Sequence, residues 1–472
     1  MEFEELLIKL KDITSGVAAS TKTLEPRQVF VCLVGVNTDG HDYAKEALCL
    51  GAVKIVCERD LGLPNQILVS NSRKAYAKLC AVWFGQPAKE MKLIGVTGTN
   101  GKTTVTTIIK QVLSRLTSKP LGLIGTIQNE VGTLALPAKY TTPDPLEFHM
   151  ILDKMRQFGC EYVVLEASSH ALEQQRLFGL QFEVAAFTNL THDHLDFHKD
   201  MANYFKVKSK LFEVAKKKVV NIDNDYGKQL FEDFSKENII SVGVDSNADV
   251  IAKNLRYFEN RTEFSVVVNG ECYFCKFNMP GKFSVENALV VVGVLLQLGF
   301  SLKLIVETLC DCVGILGRSE VIYHTPNVTI IRDYAHGPDG LLSILKTFKP
   351  FAKKRLVLLF GCPGRRDATK RKKMGEIASK YADFIVLSSD NPRDEDEMQI
   401  INGAAEGIGI PHKIFANRLD AIRFVLENKE PGDLILIAGK GHENYQVLAD
   451  CTVYFDEAEL VKVLLEGPKG VC

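Results

Sequence analysis

The sequence predicts an α/β protein built as three successive units, and three observations carry that prediction. Short apolar runs that read as strands alternate with helical stretches along most of the chain. Such alternation favours mostly parallel sheets covered on both faces. A length of 472 residues suits about three domains of roughly 150 residues. The chain is also punctuated at Gly85-Gln86-Pro87 and again near Gly317-Arg318, which divides it into 1–88, 89–316 and 317–472.

In the first unit, Gln28 to Gly35 and Val53 to Cys57 read as strands, and Tyr43 to Leu50 and Ser72 to Phe84 as helices. In the second, Lys92 to Val96 is a strand that runs into a glycine loop, and a helix follows from Thr103 to Leu116. Further strands are expected at Tyr162 to Leu165, Val184 to Thr188 and Lys218 to Ile222. Glu263 to Phe277 alternates as a hairpin would, and Asn287 to Leu298 is an apolar helix. In the third unit, strands are expected at Thr329 to Arg332, Arg355 to Phe360, Phe384 to Leu387 and Leu434 to Ala438.

Composition narrows the function classes. Lys and Arg number 57 against 58 Asp and Glu, so the net charge of −1 predicts no sequence-independent hold on nucleic acid or an anionic membrane. No run reaches the roughly 18 apolar residues of a spanning helix. The best, Ala288 to Phe300, is interrupted by Gln297 and two glycines. Met1 to Asp12 mixes charges with its Leu and Ile, unlike a signal peptide, so a cytoplasmic location is expected. Of the 12 cysteines, Cys272 and Cys275 form the one C-x-x-C. They fall on a predicted strand, which would point them to opposite faces and spoil chelation.

Residues 95–104 read GVTGTNGKTT. A strand, a glycine loop and a helix start in that order present backbone N–H groups to a phosphate chain. Lys102 adds a charge for the β and γ phosphates, and Thr103 a hydroxyl for Mg²⁺. The usual spacing would need Gly at 96, which is Val96; the glycine is Gly98 instead. Glu166-Ala-Ser-Ser-His170 follows one predicted strand, and His192-Asp193-His194 with His198 follows another. Strand ends are where ligands collect in open α/β sheets. Magnesium is favoured over zinc, because it takes oxygen ligands and shares its shell with phosphate and water.

The loop and the segments after it resemble the Mur ligases, ATP-dependent enzymes that add amino acids to the UDP-MurNAc precursor of peptidoglycan. Folylpolyglutamate synthetases have a similar loop. The likeness can be followed from about residue 28 to 455 and is strongest to the members that add the third amino acid. It implies a small N-terminal α/β uridine-binding domain, a central P-loop-type ATPase domain with a mostly parallel sheet, and a C-terminal Rossmann-like α/β domain.

The resemblance implies ATP held by Gly98, Thr99, Asn100, Gly101, Lys102, Thr103, Thr104, Asn287, Arg318 and Asp333, and two Mg²⁺ ions. Thr103 would serve the first metal, and Glu166 and His194 the second. Lys208, four residues after Tyr204, matches the family's carbamylated lysine, a metal ligand once modified. On spacing alone, Lys206, Lys208 and Lys210 read as a solvated helix face. Lys102, Lys208, Glu166 and His194 would form the catalytic set. Thr21, Thr38, Thr141, Thr142, Ser168, Gln174 and Arg176 would hold the UDP-sugar peptide. Near Thr21 the family's Asp-Ser-Arg is replaced by Ser20-Thr21-Lys22, so its arginine fork is absent; Asn37-Thr38-Asp39-Gly40-His41 does fit.

Asp390-Asn391-Pro392-Arg393 looks like the segment found in members that add meso-diaminopimelate. An arginine there suits the additional distal carboxylate of that amino acid, which lysine lacks. Arg366, Gly439 and Glu443 complete the implied amino-acid site. The expected protein is a monomeric ligase with small-molecule substrates and no nucleic-acid or membrane partner. The alternatives are a lysine-adding ligase and a paralogue with another carboxylate acceptor.

Overall fold

The computed structural model describes residues 2–35 and 38–466; Asn37, part of the proposed uridine segment, lies outside them. Three main sheets follow one another along the chain.

The first has four parallel strands in sequential order, Val17–Ala18, Val29–Val31, Lys54–Cys57 and Gln66–Leu68. Its inner strands are apolar and buried at Val29–Val31 and from Ile55 to Cys57, because both faces are covered. Val29 and Val31 pack with Leu6, Leu10 and Leu79, whereas Phe30 packs with Cys32, Ala47 and Ile55.

The central sheet has eleven strands. Seven parallel strands run from Leu121–Ile124 at one side to Val250–Tyr257 at the other. Antiparallel additions flank them: Gln128–Val131 with Leu134–Pro137, and Thr262–Val268 with Glu271–Phe277. The last pair is the expected hairpin. On Glu271–Phe277, Cys272 is exposed and Cys275 buried, as strand alternation requires. The strand Lys92–Thr97 lies between Tyr162–Glu166 and Phe182–Phe187. The segments that leave these three neighbours at their C-terminal ends are thereby brought together, at the place where such sheets bind ligands.

Helix Lys282–Gln297 starts five residues before the expected Asn287. From Ala288 to Leu296 it is apolar on every side because it lies between the sheet and two other helices, Lys102–Leu116 and Leu302–Cys310.

The third sheet places Glu320–His324, Val328–Asp333, Asp433–Ala438, Leu356–Phe360, Phe384–Ser388 and His412–Phe415 side by side. All but the first are mutually parallel. Asp333, Gly361, Asp390 and Gly439 therefore gather along one end of it. Among the described residues, no helix is long and apolar enough to cross a membrane.

Candidate functional site

The glycine loop is shaped by close approach. Gly98 has φ +144° and Gly101 φ +86°. A Cβ at Gly98 would lie 2.0 Å from Thr188 Oγ1, and one at Gly101 would lie 2.3 Å from Asn287 Oδ1. The loop is stapled to the segment after Phe182–Phe187. Thr99 N donates to the Asn189 carbonyl at 2.9 Å, Asn100 N to Asn189 Oδ1 at 2.9 Å, and Thr188 Oγ1 to the Asn100 carbonyl at 2.6 Å. The helix begins at Lys102, so backbone N–H groups at its first turn remain for an anion.

Lys102 Nζ donates to the carbonyls of Gly98 at 2.9 Å and Thr99 at 2.8 Å. Burial holds its pKa below the ordinary lysine value, against the pull of Glu166 and Asp193. Thr103 Oγ1 donates to Glu166 Oε2 at 2.9 Å. Glu166 is buried and also accepts from the backbone N–H and hydroxyl of Thr126, at 2.8 and 3.0 Å. Arg318 crosses from the third unit: its Nη2 donates to Thr103 Oγ1 at 3.2 Å, and its guanidinium lies over the Tyr334 ring at 4.5 Å. Asp333 accepts from the backbone N–H groups of Ser319 and Ala335 at 2.6 and 2.8 Å, which holds the connecting turn.

Lys208 is not on a solvated face. Tyr204, Lys208, Leu211 and Phe212 share the buried side of helix Met201–Glu213, whereas Lys206 is exposed. Lys208 Nζ donates to the Gly98 carbonyl at 2.8 Å and lies 4.7 Å from the centre of the Tyr204 ring. Burial, reinforced by Lys102, pushes its pKa well below the ordinary value. A neutral amine is the form that reacts with CO₂. His194, at φ +54°, sits 3.7 Å from Asp193 and 5.1 Å, ring to ring, from His170. Removal from bulk water and the nearby cations keep its imidazole neutral at physiological pH, although Asp193 pulls the other way.

The donor set fits magnesium. Thr103 and Glu166 offer adjoining oxygens, and the described residues hold no group of three or more His, Cys, Asp or Glu side chains placed for a metal. A site of few protein ligands, completed by phosphate and water, is what Mg²⁺ uses.

A cavity of about 290 Å³ opens from the loop across to the third unit, lined by Asn100, Thr104, Asn287, Arg318 and His336 among others. Glu286 lines it too. Burial pushes its carboxyl up to about 7; Lys282 opposes the shift, and Asp223 and Asp245 add to it. A folded pKa above the ordinary 4.5 means that the folded state binds this proton more tightly. The resulting stability is complete below about pH 4.5 and is lost as pH rises through about 7. Glu286→Gln should therefore lose less melting temperature than wild type between about pH 5 and 8. Parallel melting curves in the two proteins would refute the assignment.

Beyond the strand end at Glu166, Thr142 Oγ1 donates to the Glu166 carbonyl at 2.6 Å and lies 3.0 Å from Ser168 Oγ. Arg176 donates to the Thr142 carbonyl at 2.7 Å and grips Gln174 Oε1 through Nε and Nη2 at 3.1 and 2.8 Å. Thr141 Oγ1 lies 3.1 Å from Thr126 Oγ1. These five residues form one continuous wall beside Glu166. Thr21 and Thr38 belong to the first sheet's loops; Thr38 is exposed and its carbonyl accepts from Gly35 N at 2.8 Å. Asp39 is tied to His41 and to Arg59, an arginine that the sequence reading did not single out.

In the third unit, Asn391 Nδ2 donates to Glu443 Oε2 at 2.8 Å, and buried Lys440 donates to the same carboxylate at 3.1 Å. Asp390 is buried, and its Oδ1 accepts no hydrogen bond from a described residue. Gly439, at φ +118°, passes close enough that a Cβ would meet Asp390 Oδ2 at 3.3 Å. Arg393, at φ +57°, donates through Nη1 to the Gly364 carbonyl at 2.7 Å. Arg366 stands apart on the exposed side of its loop, beside the Arg365–Asp394 pair.

Sequence reasoning missed Thr126, Lys440 and Arg418. Thr126 had a signal, since Gly125-Thr126 closes an apolar run as the phosphate loop does. Arg418 had none: it reads as one more charge at a helix start, yet it is fully buried against Glu457.

Comparisons with known proteins place these features in context. Residues 96–295 match the Mur ligase middle domain, and 317–441 the glutamate ligase domain of Mur ligases. A UDP-N-acetylmuramoyl-L-alanyl-D-glutamate–2,6-diaminopimelate ligase of Clostridium botulinum is 42% identical over 455 residues, 94% of each chain. The protein of that name from Caldanaerobacter subterraneus subsp. tengcongensis is 40% identical over 96% of this chain and 94% of its own. A solved structure of a ligase of that name superposes with a TM-score of 0.69 at 31% identity, covering 96% of this chain and 95% of its own.

Proposed function

The chain belongs to the Mur ligase family, and from that premise we propose that it joins meso-2,6-diaminopimelate to UDP-MurNAc-L-Ala-D-Glu at the expense of ATP, in peptidoglycan precursor synthesis. The observation that carries this reading is the meeting of Lys102 and Lys208 on the Gly98 carbonyl, beside the Thr103–Glu166 pair. The loop can hold a triphosphate there, and the Thr142–Arg176 wall can present a carboxylate to it.

The reaction has two steps. The D-Glu carboxylate attacks the γ phosphorus, ADP leaves, and an acyl phosphate forms. The amine of diaminopimelate then attacks the acyl carbon, and phosphate leaves. Two bound Mg²⁺ ions would neutralise charge on the phosphates, held through Thr103, Glu166, His194 and Lys208 as its carbamate. Lys102 swings from the loop carbonyls onto the β and γ oxygens. Arg318, already at Thr103, adds charge from the other side of the cleft. Its position across the unit border makes approach of the third unit part of assembling the site. Asp390 and Glu443 supply anions for the ammonium groups of the amino acid. The protein acts as a cytoplasmic monomer on these small molecules, with division into 1–88, 89–316 and 317–472.

Phosphate release from Mg-ATP and UDP-MurNAc-L-Ala-D-Glu, with diaminopimelate or L-lysine as acceptor, tests the proposal. Strong preference for diaminopimelate is expected. Preference for lysine would overturn the specificity, and no release with either would overturn the ligase. The Nε–Nη2 edge of Arg393 makes no hydrogen bond to a described residue and suits the distal carboxylate. Arg393→Ala should lower kcat/KM for diaminopimelate by roughly 10- to 100-fold, the worth of a charged hydrogen bond, with little change for ATP. An equal loss of affinity for ATP would point to a folding defect instead.

A further inference from the structure

Far from the phosphate loop, two thiols meet. Cys275, on the edge strand Glu271–Phe277, has its Sγ 3.9 Å from Sγ of Cys310, the last residue of helix Leu302–Cys310. Cys275 is buried and Cys310 partly exposed, so an oxidant can reach one sulfur while the other waits behind it. The Lys276 backbone N–H donates to Cys310 Sγ at 3.4 Å. Nearby Cys312 is turned away, with its Sγ on the Thr308 carbonyl at 3.7 Å, and Cys272 is on the other face of the strand.

The pair sits at the base of the connection between the second and third units. Asn278 Nδ2 donates to the carbonyls of Cys310 and Cys312, at 3.0 Å each. Gln111, on the helix that begins at Lys102, binds both the N–H and the carbonyl of Val313, at 2.9 and 3.3 Å, and Arg115 donates to the Asp311 carbonyl at 3.1 Å. Five residues beyond Val313 the chain reaches Arg318, whose guanidinium touches Thr103. The start of the connection is thus clamped to the nucleotide-binding unit beside these sulfurs.

We propose that Cys275 and Cys310 are an oxidisable dithiol that closes to a disulfide under peroxide and ties the start of this connection to the edge strand. The Cys310 thiolate attacks a peroxide oxygen; the O–O bond breaks, leaving a sulfenic acid on Cys310 and releasing hydroxide. The Cys275 sulfur then attacks the Cys310 sulfur. The S–O bond breaks, and the departing hydroxide takes the Cys275 proton as water. Two thiols and one H₂O₂ become a disulfide and two waters. The Cys275 thiol beside it and the hydrogen bond from the Lys276 N–H hold the Cys310 thiol down to about 6, against burial, which favours Cys310 as the attacking sulfur. Closing 3.9 Å to a bond of about 2.05 Å asks for rotation of two side chains on adjoining elements.

The test treats the full-length protein with hydrogen peroxide and maps its thiols by mass spectrometry. The expected result is a peptide pair linked through Cys275 and Cys310, lighter by about 2 Da, present in wild type and C272S, absent in C310S, and reversed by dithiothreitol. In untreated wild type at pH 7, Cys310 should alkylate at least about tenfold faster than Cys49, Cys272 or Cys451. This second reading stands even if C310S folds poorly. Oxidation confined to Cys49, Cys272 and Cys451, or Cys310 passing to sulfinic acid with no linked peptide, would overturn the proposal.

Discussion

Lys102→Ala is expected to release phosphate at about one hundredth to one thousandth of the wild-type rate, with the fold intact. The magnitude is that of removing one preorganised charged donor from a site where charge develops. The structure gives the reason for choosing this lysine. Its amine is parked on two loop carbonyls, within the turn that a triphosphate would occupy. Burial lowers its pKa, and a bound polyphosphate would raise it. The helix it opens is held by Val105, Ile108, Ile109 and Val112 in the core, so the substitution removes a charge at the site and little packing. Steady-state phosphate release with saturating ATP, alongside a melting curve, decides the matter. A variant that kept more than about a tenth of the rate would remove Lys102 from the mechanism.

The largest effect on stability should come from Arg418→Ala, far from the phosphate loop. Arg418 and Glu457 are both wholly buried and paired at 2.7 Å. The arginine also donates to the carbonyls of Ser389 and Ala438, at 3.3 and 3.0 Å. Those carbonyls immediately precede Asp390 and Gly439, so one guanidinium braces both limbs of the proposed amino-acid site. Removing it leaves Glu457 buried and unpaired, a change that costs about 3–5 kcal/mol. The expected result is an earlier urea transition of the third unit. Arg418→Met with Glu457→Met should recover much of the loss, because neither charge then remains buried. Equal midpoints for wild type and Arg418→Ala would show that the pair contributes nothing.

Much of the architecture could be read along the chain because the signals are local. The strand at Lys92–Thr97, the helix after it and the hairpin around Thr262–Phe277 each announce themselves by period and by bounding glycines. The helix at Lys282–Gln297 was placed late by five residues. Its first turn is Lys-Phe-Ser-Val-Glu, which carries less apolar pattern than the run that follows. The short strand Gln66–Leu68 and the strand Glu320–His324 carried too little pattern to be singled out.

The candidate site divides along the same line. Its phosphate loop is contiguous, and ten residues contain the turn, the lysine and the hydroxyl that such chemistry needs. The rest is assembled from afar. Thr103 meets Glu166 across 63 positions, Lys208 meets Gly98 across 110, and Arg318 meets Thr103 across 215. Period and composition report only which face of an element is apolar, not which strand will lie beside which. The clearest case is Lys208 among Lys206 and Lys210. On spacing they make one solvated face, and only packing of the helix against the central sheet turns Lys208 inward. By itself, then, the sequence determined the α/β alternation and a phosphate-binding loop. Strand order and helix phase decided which distant carboxylate, lysine and arginine join that loop, because those contacts depend on how elements stack rather than on their own patterns.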